Sequence, residues 1–130
     1  MAINIKGIHH VAIICSDYRR SLTFYTEKLG LTLLAENYRE ARDSYKADLG
    51  IGDQYIVELF SFPDPPARPS RPEAQGLRHL ALAVSDIEEV IASLIDKGVV
   101  CEAIRIDEFT GRKFTFTVDP DGLPIEFYET

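Results

Sequence analysis

The ten residues "IHHVAIICSD" at positions 8–17 return, little changed, as "LRHLALAVSD" at positions 77–86. His10 and His79 are 69 positions apart, and so are Ala12 and Ala81, Ser16 and Ser85, and Asp17 and Asp86. Gly30 and Gly98 are 68 apart, as are Glu58 and Glu126. A drift of one residue over such a distance is a change in loop length, so the chain is an internal duplication. Each copy opens with strand alternation, His10, Ala12 and Ile14 on one face and Val11, Ile13 and Cys15 on the other. A helix follows. In "SDYRRSLTFYTEKLG", Ser16 or Asp17 can cap, Leu22, Tyr25 and Leu29 keep helical spacing, and Gly30 ends the run. Strands are then expected at about 32–38, 44–50 and 54–61, with Gly50 and Gly52 in the hairpin turn before the last.

The second copy predicts a strand over "LRHLALAV" and a helix over "SDIEEVIASLIDKG" with Ile87, Val90, Ile91 and Leu94 on its apolar stripe. Strands near 99–106, 112–118 and 123–128 complete it. Between the copies, residues 62–76 contain five prolines, which rule out a helix interior or a central strand. This segment reads as an extended linker whose Arg68 and Arg71 either are incidental or reach over a ligand. The expected architecture is α+β: a first βαβββ module at 1–61, the linker at 62–76 and a second module at 77–130. The modules form a single 130-residue domain and are expected to pair into a curved mixed sheet, covering each other's open faces either within one chain or between two chains.

Composition narrows the functional classes. A net charge of −7 argues against a nucleic-acid backbone or an anionic membrane as partner. No apolar run approaches the length of a membrane span, and the start of the chain lacks the apolar core of a signal peptide. Cys15 and Cys101 belong to no metal-binding or redox motif and read as small buried hydrophobes in a reducing compartment. A soluble cytoplasmic protein is the expectation.

The chemistry is expected on the faces that the helices leave uncovered. His10 and His79 lie there, and Glu58 and Glu126 share those faces from the last strand of each copy. A carboxylate inside "YIVELF" or "LPIEFY" is costly to bury unless it is paired, protonated or metal-bound. Two copies of one anomaly suggest a common solution: the faces meet, and His10, Glu58, His79 and Glu126 bind one divalent metal. Zn, Ni and Co suit this donor set, with Mn and Fe as further candidates. A lone strand histidine is ordinarily structural; the duplication is what favours ligation here. His9 aligns with Arg78 and points to the opposite face, so it reads as a supporting or surface residue.

"HHVAIICSD…SLTFYTEKLGL", "YIVELF", "GLRHLALAVSDI" and "DPDGLPIEFYE" together resemble the vicinal oxygen chelate superfamily, in its glyoxalase I-like branch, and small bacterial glyoxalase-like proteins most of all. The resemblance implies the same four metal ligands. Glu58 favours the glyoxalase-like branch, because extradiol dioxygenases lack a ligand at that position and methylmalonyl-CoA-type epimerases tend to carry Gln. It also implies that two glutathione anchors are missing, since Ile14 stands where the branch has Arg and Phe62 where it has Asn. An aliphatic chain cannot replace a guanidinium fork toward a carboxylate.

The expected activity is that of a metal-dependent isomerase or lyase. The metal would hold two adjacent oxygens of a small-molecule substrate and stabilise an enediolate, with Glu58 or Glu126 moving the proton. Ile14, Ile56, Phe60, Phe62 and Tyr128 would form an apolar wall. Arg39 and Arg42 are candidates for binding an anionic group, the plain alternative being surface charges balanced by Glu40 and Asp43. The resemblance also implies a homodimer. The rival readings are an Fe(II) extradiol-type dioxygenase and a non-catalytic protein that sequesters a drug.

Overall fold

A computed structural model describes residues 2–130. It divides into two compact units, one ending at Pro65 and the other running Pro66–Thr130. In the first, β1 (Val11–Cys15) leads into α1 (Tyr18–Thr23), which tightens into a π-helical turn over Phe24–Lys28. β2 (Thr32–Arg39), a 3-10 turn (Glu40–Arg42), β3 (Ser44–Ile51) and β4 (Gln54–Ser61) follow. The sheet order is β1-β4-β3-β2, with β1 parallel to β4 and the other pairs antiparallel. The second unit holds β5 (Leu80–Val84), α2 (Ile87–Asp96), β6 (Arg105–Ile106), β7 (Lys113–Val118) and β8 (Pro124–Glu129) in the order β5-β8-β7-β6. The α+β class and the doubled βαβββ plan are as the sequence predicts.

Alternation decides which face is which. Ile13, Cys15, Val57, Leu59, Ala47 and Leu49 are buried, and with Phe24 and Tyr25 they form the first unit's core. Ile125, Phe127, Thr115 and Thr117 are buried in the second, with Ile87 and Leu94 from α2. Each helix starts at an aspartate: of the two candidates for the first, Ser16 and Asp17, it is Asp17 that caps, and Asp86 caps the second. Asp17 accepts the Arg20 N–H at 3.2 Å and Asp86 the Glu89 N–H at 3.1 Å, caps worth about 1 kcal/mol each. The first helix departs from a plain α-helix at its end, where the Leu29 N–H reaches back to Phe24 O at 2.9 Å, a π-type bond. Gly30 then stops it at a φ of 86°.

One expectation needs correction, and for another the structure chooses between the alternatives. The predicted strand at 99–106 shrinks to Arg105–Ile106. The preceding segment does lie along β7, but side chains take up its carbonyls: Thr115 Oγ1 donates to Glu102 O at 2.7 Å and Thr117 Oγ1 to Val100 O at 2.8 Å. Threonine hydroxyls compete with a backbone ladder in this way. The proline-rich segment has no helix or strand, but its later part is bound to the second unit. Arg68 donates to Leu77 O at 2.7 Å and Arg78 O at 3.0 Å, so its guanidinium is spent on backbone rather than held over a ligand. Among the described residues no helix is long and apolar enough to cross a membrane.

Candidate functional site

In the first unit, β1 and β4 run parallel with Ala12 level with Glu58 and Ile14 level with Phe60. His10 Nε2 lies 3.5 Å from Glu58 Oε1. In the second unit Ala81 is level with Glu126, and His79 Nε2 lies 3.2 Å from Glu126 Oε1. Both carboxylates are mostly buried, 16% and 14% exposed, whereas the imidazoles are 34% and 28% exposed. Each unit therefore presents one imidazole nitrogen and one carboxylate oxygen at similar spacings, 3.5 and 3.2 Å. Two ligands at about 2.0–2.2 Å from one ion lie roughly 3.0–3.5 Å apart, so each pair has the bite that a divalent metal requires.

The two histidine–glutamate pairs differ in what surrounds them. The β3–β4 register sets Asp48 directly opposite Glu58, two like charges that repel unless bridged. Lys46 bridges them, its Nζ 2.8 Å from Asp48 Oδ1 and 3.3 Å from Glu58 Oε2. The Asp48 hydrogen bond is the main reason that the Lys46 pKa is raised. Tyr55 stacks flat on the His10 ring at 4.8 Å, with its hydroxyl buried beside Glu58 and Asp48. Burial first, and then the nearby carboxylates, push its pKa up. His9 contributes too: its Nδ1 is 2.8 Å from His10 Nδ1, which turns His10 Nε2 toward Glu58. Such an outer hydrogen bond fixes ring orientation and tautomer in metal-binding histidines. In the second unit, Phe116 stands across from Glu126 and meets the His79 ring edge-on at 5.1 Å. No lysine reaches Glu126 among the described residues.

Lys46, Asp48 and Tyr55 escaped the sequence reading. A signal for the first two existed, because Lys46 and Asp48 alternate with the apolar Ala47 and Leu49. Tyr55 gave none. It shares His10's face because Leu49 pairs with Val57 while Gly50 pairs with Tyr55, leaving Ile56 as the extra residue of a bulge. Bulges re-aim side chains in this manner. Gly50 permits the close approach: a Cβ there would lie 2.6 Å from Gln54 O.

The proposed substrate contacts fall into distinct surroundings. Ile14 is 55% exposed. Phe60 and Phe62 stack at 5.7 Å, and the guanidinium of Arg39 lies 4.9 Å from the first ring while that of Arg42 lies 5.1 Å from the second. Asp43 does not balance these arginines; it accepts the Tyr38 hydroxyl at 2.6 Å. Tyr128 stacks on Phe114, and its hydroxyl donates to Asp107 Oδ2 at 2.9 Å, so its polar end serves the β6–β7 turn. Among the described residues, Asp86, Glu88 and Glu129 also bring carboxylate oxygens within 4.8 Å of one another. Each has a structural duty there. Asp86 and Glu129 accept the Glu89 and Ile87 N–H groups of α2, and Glu88 pairs with Lys113.

Residues 7–127 match the family model described as the glyoxalase/bleomycin resistance protein/dioxygenase superfamily. The chain belongs to this superfamily. Its members commonly use a divalent metal and bind small-molecule substrates. The Escherichia coli K12 protein YaeR, itself uncharacterised, is 58% identical over 98% of both chains. A crystal structure of a glyoxalase family protein from Enterococcus faecalis superposes with a TM-score of 0.88 at 53% identity, covering 95% of this chain and 98% of that one. A Synechocystis protein named "Probable lactoylglutathione lyase" is 29% identical over 93% of each chain. The glyoxalase superfamily scaffold thus hosts several chemistries, and residues within the site must distinguish them.

Proposed function

We propose that His10, Glu58, His79 and Glu126 are the ligands of one divalent metal, with Zn, Ni or Co preferred over Mn or Fe, in a glyoxalase I-like lyase or isomerase. The observation that supports this reading is the doubled imidazole–carboxylate pair with a similar bite in each copy. Bound there, the metal supplies Lewis-acid polarisation of two adjacent substrate oxygens, which acidifies the intervening C–H. The chain's own residues do the rest. Lys46 holds Glu58 as a fixed carboxylate, which leaves Glu126 as the freer base for the proton. Ala12 and Ala81, level with each carboxylate on the neighbouring strand, keep space open for the substrate.

Glutathione is not the favoured thiol partner, because Ile14 and Phe62 offer no polar anchor at their positions. The test begins with elemental analysis of protein purified without chelator. Wild type carries one ion per set of four ligands, and the double variant His10→Ala/His79→Ala carries none. Turnover of methylglyoxal with a panel of thiols follows, and oxygen uptake with a catechol under Fe(II) checks the dioxygenase reading. Full metal occupancy in the double variant would refute the ligand assignment.

A further inference from the structure

Both copies place an arginine over two phenylalanines on the face that carries the histidine–glutamate pair. In the second unit Arg105 lies 5.1 Å from the Phe114 ring and 5.5 Å from the Phe116 ring. Its charge is matched, with Glu102 Oε2 2.8 Å from Nη2. In the first unit Arg39 lies 4.9 Å from Phe60 and 5.7 Å from Phe62, and Arg42 adds a second guanidinium 5.1 Å from Phe62. There the matching carboxylate is missing: among the described residues no acidic side chain forms an ion pair with Arg39 or Arg42. Arg39 Nη2 donates to Ser44 Oγ at 3.3 Å, but its Nε is buried without a hydrogen-bond partner. A buried donor without an acceptor calls for a missing water or ion. Two adjacent cations held on an aromatic shelf, in a chain of net charge −7, call for an anion.

We propose that Arg39 and Arg42, seated on Phe60 and Phe62, form a subsite for an oxyanion carried by the substrate, a carboxylate or a phosphate monoester. The inference rests on the metal-site reading only in assigning the anion to the same substrate. Phe60 lies two residues beyond Glu58 on β4, roughly 7 Å along it, and Phe62 follows just past the strand's end. The anion is therefore separate from the adjacent-oxygen unit, and the substrate is an acid with a spacer between its two recognised ends. An uncharged substrate such as a simple diketone would leave the arginine pair unmatched.

The test follows the arginine Nε–H resonances of the full chain by NMR, in separate titrations with inorganic phosphate and with succinate at a constant ionic strength of about 0.15 M. Arg19 and Arg20 on α1, exposed and without an aromatic shelf, are internal controls. Saturable shifts of Arg39 and Arg42, at concentrations that leave Arg19 and Arg20 unmoved, support the subsite. The more effective probe identifies the oxyanion. The exposed substitution Arg42→Gln should weaken binding at least tenfold, and Phe62→Leu should weaken it while keeping both charges. Linear shifts shared by all four arginines, or unchanged binding in Arg42→Gln, would overturn the proposal. Metal content measured on the same samples separates the two readings. A protein that takes no metal yet binds the anion loses the chelate and keeps the subsite; one that binds metal without the anion does the reverse.

Discussion

Replacing Lys46 with Met tests how the surroundings of Glu58 are organised. The methionine keeps most of the buried stem and removes only the ammonium. Asp48 and Glu58 both lie within 3.3 Å of that nitrogen, so their carboxylates are at most about 6 Å apart once it is gone. Two unit charges at that distance repel by about 3 kcal/mol at an effective dielectric of about 20, and by under about 1 kcal/mol in bulk water. The carboxylates are 19% and 16% exposed, which places the cost nearer the upper figure, about 2 kcal/mol after partial screening. For a chain of this length that is a loss of roughly 6–10 °C in melting temperature. Urea unfolding at neutral pH gives the free energy directly, with an unchanged slope showing that only stability has moved. The double variant Lys46→Met/Asp48→Asn should recover most of the loss, because one of the two repelling charges is gone, and the cycle isolates the coupling. If Lys46→Met unfolds at the wild-type midpoint, or if adding Asp48→Asn deepens the loss, the bridging role assigned to Lys46 is wrong.

Three further outcomes follow from the same geometry. Gly50→Ala drives a Cβ to 2.6 Å from the Gln54 carbonyl, which is backbone and cannot swing aside, so it should cost about 1–3 kcal/mol. Gly52→Ala meets only the strain of its φ of 59° and should cost about 1 kcal/mol; urea midpoints in the opposite order would contradict the bulge argument. Asp107 has its pKa lowered by hydrogen bonds from the Phe109 N–H and the Tyr128 hydroxyl. Its contribution is present above the usual value of 3.8 and is lost as pH falls through the lowered one, so Asp107→Asn should be less stable than wild type at neutral pH and converge with it in acid. A gap that persists unchanged into strong acid would exclude that linkage. In any turnover that the metal-loaded protein supports, Glu126→Gln should lower kcat by about 10²–10⁴ with metal retained, whereas Glu58→Gln should act mainly on metal content. The reverse pattern would reassign the base.

Much of the plan was legible because it depends on local period and on repetition. Strand alternation placed His10 and Ala12 opposite Ile13 and Cys15, and burial follows that division. The "SD" pair narrowed the first helix start to Ser16 or Asp17, and the structure selects Asp17, with Asp86 in the same role in the second copy. The strand expected at 99–106 shortens to Arg105–Ile106 for the converse reason. Its residues have strand character, but whether their carbonyls meet a backbone ladder or the Thr115 and Thr117 hydroxyls depends on a partner more than ten residues away.

The sequence by itself determined that there are two copies, which residues of each share a face, and that each face carries one histidine and one glutamate. Those properties follow from a side-chain period of two and a duplication, neither of which needs a third dimension. Only the tertiary structure decided what surrounds each glutamate. Asp48 and Lys46 share a face with Glu58, and Tyr55 stacks on His10, because a single extra residue at Ile56 shifts the β3–β4 register. A shift of one residue exchanges the faces of every side chain beyond it, and no composition or periodicity fixes where it occurs. The same register holds Glu58 under a lysine, whereas Glu126 faces a phenylalanine, and two histidine–glutamate pairs alike in sequence become chemically unequal.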